Sequence, residues 1–252
     1  EIISHLGSWH PTNSWRSPTH EGQGRELTAL ITTNPNALSG IGELINRLRP
    51  IYIRAIIQGW EAALKAGNDP VYPEVVALIV EVLNHTQESE YPIEGREFDD
   101  DPNFLHAKNA AINLVVELTK SREGRSIPVD LIRIISDTLL GYVVNGPSWT
   151  DYSDFSTDSQ MDPLTLSLNW QWPNLIRGMI NLLSHATEAS WKEDVFLALD
   201  REVGKSDRHG AARAVFGQSI GFLATYAPEW LEENQVQLFG SSAGISESQQ
   251  IA

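Results

Sequence analysis

The chain has no cysteine. That excludes disulfides, thiolate metal sites and cysteine nucleophiles in one step, and it fits a reducing compartment, so a cytoplasmic location is the expectation. Long apolar runs are also missing. The best stretches carry internal charge, as Val75–Leu83 does at Glu81, and none reaches the roughly 18–20 residues needed to span a bilayer. Positive charge is scarce: 18 Lys and Arg stand against 33 Asp and Glu, a net charge of -15. Phosphate binding needs clustered cations, so nucleic acid is not an expected partner. The acidity reads as a solubility device. No tight turn lies between alternating apolar runs, which leaves no strand signal. A basic segment followed by an apolar one, the mark of a secretory leader, is missing too. The chain starts at Glu1 rather than Met, in a polar, aromatic-bearing stretch. We read it as a piece of a larger bacterial protein.

What is there is helical. Residues 1–24, with His5, Trp9, His10, Pro11, Trp15, Pro18 and His20, show no period and are expected to form an irregular arm. From Arg25 onward, apolar residues recur at helical spacing: Leu27, Leu30 and Ile31, then Val75, Ile79, Val82 and Leu83. Pro50 is expected to break or kink a run and precede a helix over about residues 51–66. Pro73-Glu74 and Pro128-Val129-Asp130 each open a helix. Asp99, Asp100 and Asp101 precede Asn103-Phe104 and are expected to cap the next helix. Further helical segments follow over about 164–186, interrupted by Pro173, over 192–200, over 208–226 and from Pro228 to Phe239. The fold class is therefore all-α, with stacked antiparallel helix pairs: a helical-repeat domain over 25–240, subdividing near 145–162, and a flexible tail over 241–252.

Chemistry is thinly signalled. His5, His10 and His20 form the one local histidine group, without the fixed spacing on a rigid element that a metal site needs. No phosphate-binding loop, dinucleotide fingerprint or nucleophile elbow is present; Gly40-Ile41-Gly42 is too short a match. No catalytic residue, metal or cofactor is expected, and the balance leans away from an enzyme. Eight Trp residues are many for this length. Trp149, Trp170 and Trp172, with Asp151, Asp154 and Asp158, cluster about a long central break, where an indole could stack on a sugar or anchor a partner.

An internal echo bears on architecture. Ile112-Asn113-Leu114 recurs as Ile180-Asn181-Leu182, which sets Lys108 over Arg177, and the same frame fits Arg213. A polar residue lies upstream of each cation: Asp101, Gln171 and Asp207. Asp207 and Arg213 are expected to form a repeat ion pair. The segment from Asp207 to Arg213, with Ala211, Ala212, Ala214 and Val215 around the Arg, resembles the second helix of a HEAT-type repeat. That resemblance implies an α-solenoid or irregular α-α superhelix with an extended binding surface. Ser206–Trp230 also resembles, more faintly, the C-terminal helical regions of large bacterial NTP-dependent and phage-defence proteins. The expected function is a non-catalytic module that contacts a protein partner or other domains of its parent chain. The alternative is an α-helical enzyme or binding domain for a carbohydrate-like ligand, using the Trp- and Asp-rich stretch over 145–172. Self-association, where it occurs, is expected to give a symmetric homodimer.

Overall fold

The computed structural model of the chain describes residues 1–12, 17–38, 47–85, 91–94, 100–120, 126–145, 162–204, 210–240 and 244. Among them stand twelve α-helices and no β-strand. In chain order the helices are α1 (Ile2–Ser8), α2 (His20–Thr33), α3 (Pro50–Lys65), α4 (Tyr72–Asn84), α5 (Leu105–Thr119), α6 (Val129–Asn145), α7 (Pro163–Asn169), α8 (Gln171–Leu182), α9 (Ala189–Gly204), α10 (Ala211–Gln218), α11 (Ile220–Tyr226) and α12 (Pro228–Phe239). The chain is all-α, its helices packed on their neighbours. It divides into two compact units: unit 1 is Glu1–Leu118 with Ser126–Thr138, and unit 2 is Thr119–Arg125 with Leu139–Ala252. Trp15, Gly40-Ile41-Gly42, Asp99, Trp149, Asp151, Asp154, Asp158, Asp207 and most of the 241–252 tail lie outside the described residues.

Unit 1 is organised around α3. Eleven of its sixteen residues are buried, among them Ile51, Tyr52, Ile53, Ile56, Ile57, Trp60 and Leu64. Pro50 opens this helix rather than kinking it, because a proline at the first helical position lacks an N–H that would be unpaired there anyway. The irregular arm expected over 1–24 is corrected at both ends: α1 occupies Ile2–Ser8, and α2 begins five residues before the apolar period shows. Its start is fixed by Thr19, whose Oγ1 accepts a hydrogen bond from the Gly22 N–H at 3.0 Å, and by Glu21 in the first turn.

The α2–α3 pair packs closely enough that a side chain is excluded at one point. A Cβ on Gly59 would lie 2.7 Å from Ile31 Cβ and 3.1 Å from the Thr28 carbonyl oxygen. The Thr28 hydroxyl donates across the same seam to the Ala55 carbonyl at 2.9 Å.

In unit 2, the single helical segment expected over 164–186 is two helices. Trp170 takes an extended conformation between α7 and α8, and Pro173 falls in the first turn of α8, where it is tolerated. The segment over 208–226 is likewise split, at Ser219, into α10 and α11. The core is built from Leu175, Ile176, Met179, Ile180, Val195, Leu199, Val215, Phe216 and Leu223.

The three cations of the repeat frame share one role: each donates to a backbone carbonyl at the end of another helix. Lys108 Nζ donates to the His85 carbonyl at 2.7 Å, and His85 is the C-cap residue of α4. Arg177 donates to the Ser167 carbonyl at 2.5 Å, in the last turn of α7. Arg213 donates to the carbonyls of Gln237 at 2.7 Å and Leu238 at 3.3 Å, in the last turn of α12. A helix end leaves carbonyls without intrahelical partners, and a cation there also meets the negative end of the helix dipole. Burial pulls the Lys108 and Arg177 groups below their ordinary pKa values. Asp101, expected in the Lys108 frame, pairs with Arg54 instead.

Two outcomes follow. Gly59→Ala, which helix propensity alone would favour by about 1 kcal/mol, is expected to destabilise the chain by about 1–3 kcal/mol through overpacking against Ile31; urea unfolding measures it, and a stabilised variant refutes the close approach. Arg213→Ala is expected to cost about 1–3 kcal/mol by uncapping α12. An unchanged thermal midpoint for that variant would count against the capping role.

Candidate functional site

The polar groups of unit 1 gather about the N-terminal half of α3. Arg49, its N-cap residue, donates from Nη2 to the Pro92 carbonyl at 2.6 Å and also pairs with the Asp100 carboxylate. It donates from Nη1 to Glu94 at 3.3 Å, and its guanidinium lies 5.7 Å from the centre of the Tyr91 ring. The Asp100 side chain is 0% exposed and that of Arg49 14%, so each charge depends on the other for compensation. One turn on, Arg54 bridges Asp101 at 2.7 Å and Glu21 at 2.7 Å. Asp100 and Asp101 are therefore held by arginines of α3 rather than capping α5, which corrects the expectation for this acidic run. Asn103 performs that cap, its Oδ1 accepting from the Leu105 N–H at 3.0 Å.

Behind Arg49 lies a buried relay. His20 Nδ1 is 2.7 Å from the Tyr52 hydroxyl, and His20 Nε2 is 3.2 Å from Glu94 Oε2. A carboxylate only accepts, so in the neutral ring Nε2 carries the proton and Nδ1 accepts from Tyr52. Burial, followed by the Asp100 charge, pushes the Tyr52 hydroxyl well above the ordinary phenol range, which keeps it a donor. His10 Nδ1 reaches the same Glu94 oxygen at 2.8 Å. Two of the three histidines singled out in sequence thus meet on one carboxylate. Neither Tyr52 nor His20 has any exposed surface, so no substrate atom reaches them, and the array acts as a clasp on the 91–94 and 100–101 segments. Among the described residues, no group of three His, Asp or Glu side chains could hold a metal ion.

Two of the concavities formed by the described residues lie on unit 1. The first is a cleft of about 370 Å³ between α2, α3 and α5, lined by Glu21, Arg25, Arg54, Gln58, Asp101, His106, Asn109, Ala110 and Asn113. Helical spacing produces it: Arg54 and Gln58 are one turn apart on α3, and His106, Asn109, Ala110 and Asn113 form one stripe of α5. The second is an apolar groove of about 400 Å³ along α1 and α2, lined by Ile2, Leu6, Leu27 and Leu30 with Glu1, His5, Gln23 and Glu26.

Of the residues singled out in sequence for ligand or partner contact, only Trp170 and Trp172 are described, and neither lines the cleft or the groove. Trp172 is 2% exposed in the interior of unit 2, its indole N–H donating to Glu202 at 2.7 Å. The surface role expected of it is corrected by that burial. Trp170 is half-buried at the α7–α8 junction. Sequence reasoning missed the α5 stripe because polar residues at helical spacing ordinarily mark a solvated face. Compared with models of protein families, with curated proteins and with solved structures, the chain matches none.

The clasp carries a pH dependence. Hydrogen bonding from His10, and after it from His20 together with the Arg49 charge, holds the Glu94 carboxyl below its ordinary range against an opposing effect of burial. A carboxyl depressed on folding stabilises the folded state above its unfolded pKa, about 4.3, and that contribution is lost as pH falls through the folded value. Glu94→Gln is expected to cost about 1 kcal/mol at pH 7 and much less at pH 3, measured by urea unfolding at both. An equal cost at the two pH values would show that the charge of Glu94 plays no part.

Proposed function

We propose that this chain is a non-catalytic helical-repeat module, HEAT-like in its repeat frame, whose unit 1 docks a basic amphipathic helix of a protein partner in the α1–α2 groove. The observation that carries the reading is the groove itself. Ile2 is 41% exposed and Leu30 36%, beside the buried Leu6 and Leu27. An apolar channel of this kind suits the apolar stripe of a helix. Glu1 and Glu26 lie alongside it and the chain carries a net charge of -15, so the complementary partner presents Lys or Arg beside its apolar face. Support for the repeat reading comes from the shared capping role of Lys108, Arg177 and Arg213.

The test is a titration of the whole chain with a synthetic amphipathic helix of about 18 residues bearing a Leu stripe and Lys flanks, followed by fluorescence anisotropy. The expected Kd is about 10 μM at low salt and rises with ionic strength. Leu30→Glu and Ile2→Glu, both at exposed positions, are expected to weaken it about tenfold or more without lowering the thermal midpoint. The same peptide with Glu in place of Lys is expected not to bind. Equal binding of the two peptides, or none of the basic one, refutes the reading; concentration-dependent self-association blocked by the same variants would replace the foreign helix with a second copy of the chain.

A further inference from the structure

We infer that the polar cleft between α2, α3 and α5 is a second binding site, for a neutral polyhydroxylated small molecule such as a sugar or cyclitol. This is independent of the α1–α2 groove, with which it shares no lining residue. The charges of the cleft are already matched: Arg54 is engaged by Asp101 and Glu21, and Arg25 by Glu21 at 3.1 Å. Two cations and two carboxylates leave no net charge to attract an anion or a cation, and a charged ligand would have to displace pairs already formed. Ala110 is the one apolar residue in the lining, and no Phe, Tyr or Trp is present. A lipid or a flat aromatic compound therefore finds nothing to bury against.

What remains is neutral hydrogen-bonding capacity. Gln58 on α3 and His106 and Asn109 on α5 line the cleft, and their side chains make no hydrogen bond to any described residue. Asn109 is the telling case, because its Oδ1 is buried and has no partner. A buried acceptor left unpaired costs stability, and a leucine of similar size would avoid that cost. Asn109 as a whole is half-buried at the wall of the cleft, so a turn of its amide plane presents this unpaired capacity to a ligand. Two amides and an imidazole offer donors and acceptors in close alternation, which matches vicinal hydroxyl groups, each both donor and acceptor. At about 370 Å³ the cleft falls at the small end of ligand-binding cavities.

Binding made of neutral hydrogen bonds without an apolar platform is weak, with an expected Kd of about 1 mM. The experiment is ligand-observed NMR and calorimetric titration of the whole chain with glucose, trehalose and myo-inositol, against glucose 6-phosphate and adenosine as charged and aromatic comparators. The expected result is saturable binding of at least one neutral compound and weaker binding of both comparators. Gln58→Ala and His106→Ala are each expected to weaken it about five- to tenfold. Asn109→Leu is expected to abolish binding while leaving the unliganded chain as stable as before or more so, an outcome that a purely structural amide would not give. His106 is exposed, so its variant keeps the test valid even if another variant fails to fold. Absence of saturation by every neutral compound up to about fifty times that Kd, preference for a comparator, or unchanged affinity in the three variants overturns the inference.

Discussion

A helix that ends inside a packed protein leaves carbonyl oxygens that must find donors, and this chain answers that demand with long cationic side chains reaching over from another helix. Lys108 does so for α4, Arg177 for α7 and Arg213 for α12. The device sets a distance: a helix end must lie within one side-chain length of the helix that supplies the cation. It also explains why the cations tolerate partial burial, since a carbonyl cluster at the negative end of a helix dipole replaces water. Short helices such as α7, with seven residues, gain most, because so few of their own hydrogen bonds hold them.

The arginines at the start of α3 solve a related problem in a different way. Arg49 caps the start of α3 and Arg54 lies near it, on a stretch that is otherwise apolar through Ile57, and each draws in a segment distant in sequence. The Asp100 and Asp101 carboxylates sit on consecutive residues but go to different arginines. That alternation fixes the approach of the chain to α5 more tightly than either pair could alone. Once this frame is rigid, the two concavities of unit 1 acquire opposite characters. One is lined by leucine and isoleucine from α1 and α2; the other is lined almost entirely by polar side chains whose charges cancel.

How much of this could be read in the sequence depended on the range of the interaction concerned. The helical segments from α3 onward follow from apolar spacing and, for several, from a proline at the start, because both signals are local, but α7–α8 and α10–α11 each read as one helix. The α1 helix escaped, since a segment with Trp9, His10 and Pro11 just after it has too few apolar positions to show a period. The break at Ser219 escaped as well, because neither proline nor a charge change marks it. The repeat frame was legible as a recurrence of Lys108, Arg177 and Arg213, but their partners were not: a cation advertises its charge in the sequence, whereas a backbone carbonyl advertises nothing. The same holds for the Arg49–Asp100 pair and the His20–Glu94 contact, separated by 51 and 74 residues. The two concavities depended on three-helix packing and left only faint traces, an α5 stripe that reads as solvated surface and an α2 face that reads as core.

The indole groups give the molecule an optical consequence. Trp60, in unit 1, donates its N–H to the Pro35 carbonyl at 3.0 Å. Trp172 and Trp230, in unit 2, donate to carboxylates, Glu202 and Asp200, each at 2.7 Å. All three rings are buried, so each absorbs and emits from an environment closed to water. Unfolding of either unit opens its buried indole to water and breaks that indole's hydrogen bond, so each unit carries a built-in optical reporter of its own melting, without any label being attached.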